Sequence, residues 1–158
     1  MCLALTMMAA NCWPQAEPPA TPAVFYRLDF VLKELEGAKT INSRAYMMTI
    51  STDKGSFSSI RTGSRVPVPA KDGTYTYMEV GINFDCRLAK ESGNDLTLNV
   101  SADISSVPDS SSGPPVVRNT KLVSNVIVPF RKPTTIFLSD DAMSKRQIQL
   151  DLTAAPIK

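Results

Sequence analysis

The chain contains no histidine. That removes the commonest metal ligand and the commonest general base at neutral pH. Cysteine is scarce as well, with 3 in the whole chain, and Cys2 and Cys12 sit near the N-terminus, so no disulfide framework is expected. An excess of one charge is also lacking. Lys plus Arg is 17 against Asp plus Glu 15, and a net charge of +2 gives no field to steer nucleic acid or an anionic membrane. Apolar runs long enough for a transmembrane helix are missing, and so are sustained helical periods. No catalytic constellation emerges, which points away from an enzyme, and no motif calls for a cofactor or a metal.

What is present is alternation. In residues 80–88, Val80, Ile82, Phe84, Cys86 and Leu88 fall on one side of an extended chain, with Asn83, Asp85 and Arg87 on the other. Residues 96–104 repeat the device, with Leu96, Leu98, Val100, Ala102 and Ile104 against Thr97, Asn99, Ser101 and Asp103. Side chains swap faces at every residue of a strand, so this pattern predicts two half-buried strands. Ser92-Gly93-Asn94-Asp95 between them is turn chemistry, which makes the pair a hairpin. A chain of 158 residues is one domain, or one domain behind a processed leader. It is long enough to remove about two-thirds of its unfolded surface from water.

The N-terminus divides by composition. Residues 1–16 open as Met-Cys-Leu-Ala-Leu-Thr-Met-Met-Ala-Ala, an uncharged apolar stretch that reads as a secretory signal peptide without its usual basic start. Cleavage is expected after Ala10 or Ala16, and lipidation at Cys12 is a weaker alternative because Asn11 stands where a small residue is wanted. Residues 17–23 are a Pro-rich extended linker. A single β-domain is expected over residues 24–158.

Within it, residues 25–35 form the first strand expected, with Tyr26, Leu28, Phe30 and Leu32 on one face. Residues 39–51 form the second, with Tyr46, Met48 and Ile50 together. Thr52-Asp53-Lys54-Gly55 reads as a tight hairpin turn. A short strand over 56–62 is expected to break at Gly63-Ser64-Arg65, and Val66-Pro67-Val68-Pro69 to run on at a sheet edge, since Pro cannot donate to a ladder. Residues 74–88 form one long strand, bent at Gly81. Residues 105–115 read as a Ser-rich loop, 116–128 and 134–138 as strands, Ser139-Asp140-Asp141 as the cap of one helical turn through Arg146, and Ile148, Leu150 and Leu152 as a closing strand. The fold class expected is therefore all-β: an antiparallel β-sandwich or partly rolled sheet of about eight strands.

Candidate sites are few. Cys86 on the apolar face reads as a small buried hydrophobe, because no histidine exists to activate it. Asp140 and Asp141 with Asp103 or Asp109 lack the spacing of a cation loop and read as a solvated turn. Arg61, Arg65, Lys71 and Arg118 lack the interleaved aromatics of a nucleic-acid platform and read as scattered surface charge. Tyr75 and Tyr77 share the strand face opposite Met78, Val80 and Ile82. They are either a cross-strand packing pair or, if that face is outermost, an exposed aromatic pair at a contact surface. The loop opening Ser105-Ser106-Val107-Pro108-Asp109 is the other place for partner contact, against the plainer reading of a simple connection.

From about residue 41 to 157 the order of motifs resembles the C-terminal β-domain of secretins, the ring-forming outer-membrane channels of type II and III secretion and type IV pili. Ile41-Asn42-Ser43-Arg44 is similar to the family's S-x-P strand start, without its Pro. Ile60-Arg61-Thr62-Gly63-Ser64-Arg65-Val66-Pro67 resembles the strand ending G-x-x-V/I-P. Glu79-Val80-Gly81-Ile82-Asn83-Phe84 resembles x-V-G-V-x-L. Residues 96–107 are similar to the strand that runs into a Ser-rich gate segment, 117–128 to the return from it, and 148–157 to the closing strand. Where the family has Gly-Gly-Leu this chain has Leu138-Ser139-Asp140-Asp141, and nothing in it matches the family's N-terminal ring-building domains.

The resemblance implies a small exported protein with a secretin-like β-fold; it does not imply a working secretion pore. The expected function is non-catalytic assembly or protein contact in the periplasm or cell envelope, by a monomer or small oligomer with a protein partner and no nucleic acid. The alternative is a free-standing periplasmic β-sandwich that binds a small ligand or glycan.

Overall fold

The computed structural model describes residues 22–53, 55–70, 73–107, 117–141 and 144–157. The expected leader and most of the linker lie outside these residues. Among the described residues every regular element is a strand: β1 (Phe25–Glu36), β2 (Lys39–Ser51), β3 (Phe57–Pro69), β4 (Tyr75–Ser92), β5 (Asp95–Ser106), β6 (Arg118–Pro129), β7 (Thr134–Asp140) and β8 (Arg146–Pro156). They form two antiparallel four-stranded sheets, one in the order β2-β1-β8-β7 and the other in the order β3-β4-β5-β6. The chain is thus the expected all-β sandwich.

Alternation places the core. Tyr26, Leu28, Phe30 and Leu32 of β1 and Leu150, Leu152 and Ala154 of β8 face Ile82, Phe84 and Cys86 of β4 and Leu96, Leu98, Val100, Ala102 and Ile104 of β5, and all are buried. Phe84 is at its centre. It stacks on Phe30 with ring centroids 5.0 Å apart and meets the edge of Tyr46 at 5.5 Å. The β4–β5 hairpin turns at Gly93, whose φ of 62 suits a residue without a Cβ.

Three local expectations are corrected. Thr52 to Gly55 is not a hairpin turn, because β2 and β3 lie in different sheets. It is a corner, closed by a bond from the Ser51 amide to the Ser56 hydroxyl and by the Asp53 carboxylate accepting from the Ser51 hydroxyl. Gly63 does not break a strand: β3 is continuous from Phe57 to Pro69 and registers on β4 throughout. Ser139 to Arg146 forms no helical turn among its described residues. Ser139 and Asp140 finish β7, and the Asp141 carboxylate is engaged by Arg118 of the opposite sheet at 2.6 Å, which ties the two sheets together at that end.

One charged group is buried on the outer face. Asp151 of β8 is 8% exposed. Lys33 donates to it at 2.7 Å, Thr135 at 2.6 Å and Gln149 at 2.7 Å. Burial alone pushes the carboxyl up, but the hydrogen bonds from Lys33, Thr135 and Gln149 and the charge of Lys33 outweigh it and hold Asp151 below the usual carboxylate range. A carboxyl held lower in the folded chain than in the unfolded one adds stability that is complete above about pH 4 and is lost as pH falls through the folded value. Asp151→Asn is therefore expected to cost about 1.5–3 kcal/mol at pH 7, the range for hydrogen bonds to a charged group. The gap to the parent should shrink below about pH 4, and urea melts at pH 7 and pH 3 check both halves of the expectation.

Candidate interaction surface

β4 outruns its neighbour. It is 18 residues long, and its pairing with β5 starts only at Ile82, opposite Ile104. From Gly81 back to Tyr75 it pairs with β3 alone, so residues 64–69 and 75–80 form a two-stranded arm beyond the sandwich. The arm turns through Gly73, whose φ is 81, with the Ala70 amide bonded to the Thr74 carbonyl at 2.8 Å.

Its base is a backbone crossing with no room for side chains. Gly63 stands opposite Gly81. A Cβ on Gly63 would lie 2.7 Å from the Val80 carbonyl oxygen, and one on Gly81 would strike the Thr62 carbonyl and the Gly63 Cα. Ser105 finishes the joint. Its hydroxyl accepts from the Gly81 amide at 2.9 Å and donates to the Gly81 carbonyl at 3.3 Å, where the ladder from β5 has stopped. A shallow concavity of about 440 Å³ opens here, lined in part by Arg61, Arg65, Glu79 and Asn83. Both arginines are engaged: Arg61 pairs with Asp85, and Arg65 with Glu79 at 3.2 Å.

The arm has two different faces. Val66, Val68, Met78 and Val80 continue the parity of the core face. The opposite face carries Tyr75 and Tyr77, 64% and 65% exposed, with Pro69 and Pro67 across from them in register. Both tyrosines are thus exposed. Each faces a proline rather than a partner ring. Pro67 and Pro69 fit here because β3 is an edge strand, where a missing amide breaks no second ladder.

The other expected contact residues are dispersed. Ser105 and Ser106 belong to β5, so the loop begins at Val107, and the Ser105 hydroxyl is spent on Gly81. Pro108 and Asp109 lie outside the described residues, as does Lys71. Cys86 is 1% exposed, and burial pushes its thiol up to about 12, so it stays protonated and inert. Among the described residues no three acidic or cysteine side chains gather into a metal site. Asp140 instead accepts from Gln147, and Asp141 from Arg118. Sequence reasoning missed the Gly63–Gly81 crossing, although the register was recoverable: a turn centred on Asp72 puts 63 opposite 81.

No protein-family description matches the sequence, and no curated protein does. Solved structures match the fold. InvG, the secretin of the Salmonella SPI-1 type III secretion injectisome, aligns over 86% of this chain and 64% of its own with a TM-score of 0.51. The fold is secretin-like. Identity to InvG is 7%, so the likeness is one of fold alone. Aeromonas hydrophila ExeD aligns over 85% of this chain and 47% of its own, with a TM-score of 0.49 and 9% identity. The type II secretin GspD of enteropathogenic Escherichia coli aligns over 86% and 68%, with a TM-score of 0.46 and 10% identity. The chain thus spans about half the length of ExeD and about two-thirds that of InvG and GspD.

Proposed function

We propose that this chain is a non-catalytic, exported secretin-like module that acts in assembly or protein contact in the periplasm or cell envelope. The observation that carries this reading is the arm: past the end of the β4–β5 pairing the sandwich holds out two strands with apolar side chains on both faces, Tyr75, Tyr77 and Met78 exposed and Val66, Val68 and Val80 half-buried. The secretin-like fold supports the envelope placement. Surfaces of this kind on a fixed scaffold are where protein partners meet.

The module acts as a monomer or small oligomer. Three of its four sheet edges are guarded against indiscriminate pairing. β3 carries Pro67 and Pro69, β6 carries Arg118 and Lys121, and β7 is only 7 residues long with a register shift after Thr135. β2, with 13 residues and neither Pro nor Gly, carries Lys39, Arg44 and a register shift in its first half, so its uncharged second half, residues 45–51, is the edge left open to a partner strand.

A second reading rests on a separate observation. On the outer face of β3 to β6, Phe57, Arg87, Asn99 and Asn125 stand in one row, with Phe57 55% exposed, over a concavity of about 460 Å³. Amide and guanidinium groups beside an exposed ring suit a small polar ligand or glycan.

Fractionation of native cells with mass spectrometry of the N-terminus tests the leading reading. The chain should be recovered from the envelope fraction without about its first 10 to 16 residues, the length a signal peptide spans. An intact Met1 on soluble cytosolic protein ends the export reading. A monomer whose melting temperature rises with a glycan would move the second reading to first place.

A further inference from the structure

The tyrosine face of the arm has features that select its occupant. A two-stranded hairpin alone is marginal in water, so these strands gain from a cover. A further β-strand cannot lie fully along β3 there, because Pro67 and Pro69 supply no outward donors. A polyproline segment needs no ladder, and exposed aromatic side chains are what such segments dock against. Tyr75 and Tyr77, with Pro69 and Pro67 opposite, are that surface. Beyond it on the same face stands Arg65, 73% exposed even while paired with Glu79.

The chain itself carries a matching segment. Glu17-Pro18-Pro19-Ala20-Thr21-Pro22 ends at the first described residue, and its acidic Glu17 can compete with Glu79 for the exposed guanidinium of Arg65. We infer that the Tyr75–Tyr77 face binds this proline-rich tail, supplied by a second copy of the chain. The tail cannot serve its own arm. It leaves the sandwich beside Thr52, which bonds to Val24 in both directions, at the end where β3 begins. From Phe57 to Pro67 is about 33 Å at 3.3 Å per residue. Six residues of polyproline helix span only about 19 Å. The contact is therefore heterologous, tail of one copy to arm of the next, and short chains of copies build up with concentration. It rests on the protein-contact reading and names the partner. It does not depend on export, which the fractionation tests separately.

The test is a titration of the isotope-labelled full chain, kept dilute, with the synthetic peptide Glu17-Pro18-Pro19-Ala20-Thr21-Pro22, followed by amide shifts. Shifts should concentrate at Tyr75, Thr76, Tyr77 and Arg65. Tyr77→Ala should weaken the peptide about tenfold, as loss of an aromatic anchor does, and unchanged shifts around Phe84 will show that this variant is folded. In the full chain, raising the concentration should move the same amides, and Pro18→Ala with Pro19→Ala should abolish that movement. Peptide shifts elsewhere, or none at millimolar peptide, overturn the inference. So does concentration dependence that survives the proline changes, which would mean that the arm meets another part of its neighbour.

Discussion

Phe84→Ala is expected to destabilise the chain by about 3–5 kcal/mol, the cost of deleting a fully buried aromatic and leaving a cavity. The ring is 0% exposed, stacked on Phe30 and edge-on to Tyr46, so it joins β4 to β1 and to the edge strand β2 of the facing sheet. The residue before it is the control. Asn83 is exposed on the opposite face, and Asn83→Ala should cost under about 0.5 kcal/mol. Urea melts of the two variants decide the matter. Equal losses would mean a register slipped by one residue, which exchanges the faces.

Gly81→Ala should have the next largest effect. The methyl group would strike the Thr62 carbonyl and the Gly63 Cα, which are backbone atoms that no rotamer change can move aside. A cost of about 3 kcal/mol, the upper part of the overpacking range, is expected. It should fall on the arm, because the Ser105 clamp at Gly81 goes with the crossing. Gly37→Ala is the comparison. A Cβ there meets nothing within 4 Å, and only its φ of 59 resists, for about 1–2 kcal/mol. Hydrogen exchange checks the location: the amides of Thr76, Met78 and Val80, which face β3, should lose protection in Gly81→Ala while those of 96–104 keep theirs.

The sequence was most legible where burial is one-sided. All five apolar residues of 96–104 are buried, and β2 has the bounds 39–51 that its pattern predicts. Alternation records which face a side chain takes, but not which sheet its strand joins. Thr52 to Gly55 therefore read as a hairpin turn when it is a corner. Gly63 read as a break because a glycine is usually placed by its φ, whereas here it is placed by the carbonyl across from it. Ser139 to Asp141 had the composition of a helix cap, yet Arg118, distant in sequence, takes the Asp141 carboxylate. Tyr75 and Tyr77 were visible as a pair, but their exposure depends on β5 stopping short of them, and no residue near the tyrosines records where β5 ends. Ser105 read as loop by composition, and its role at Gly81 is a contact over 24 residues.

Light scattering of the purified full chain across a range of concentrations tests the central claim most directly. A protein-contact module with three guarded edges and an arm that takes a short tail should be a monomer when dilute and rise gradually toward a few chains. A stable assembly of about ten or more chains that persists on dilution would contradict the account, because edges open enough to close such a ring are not guarded edges.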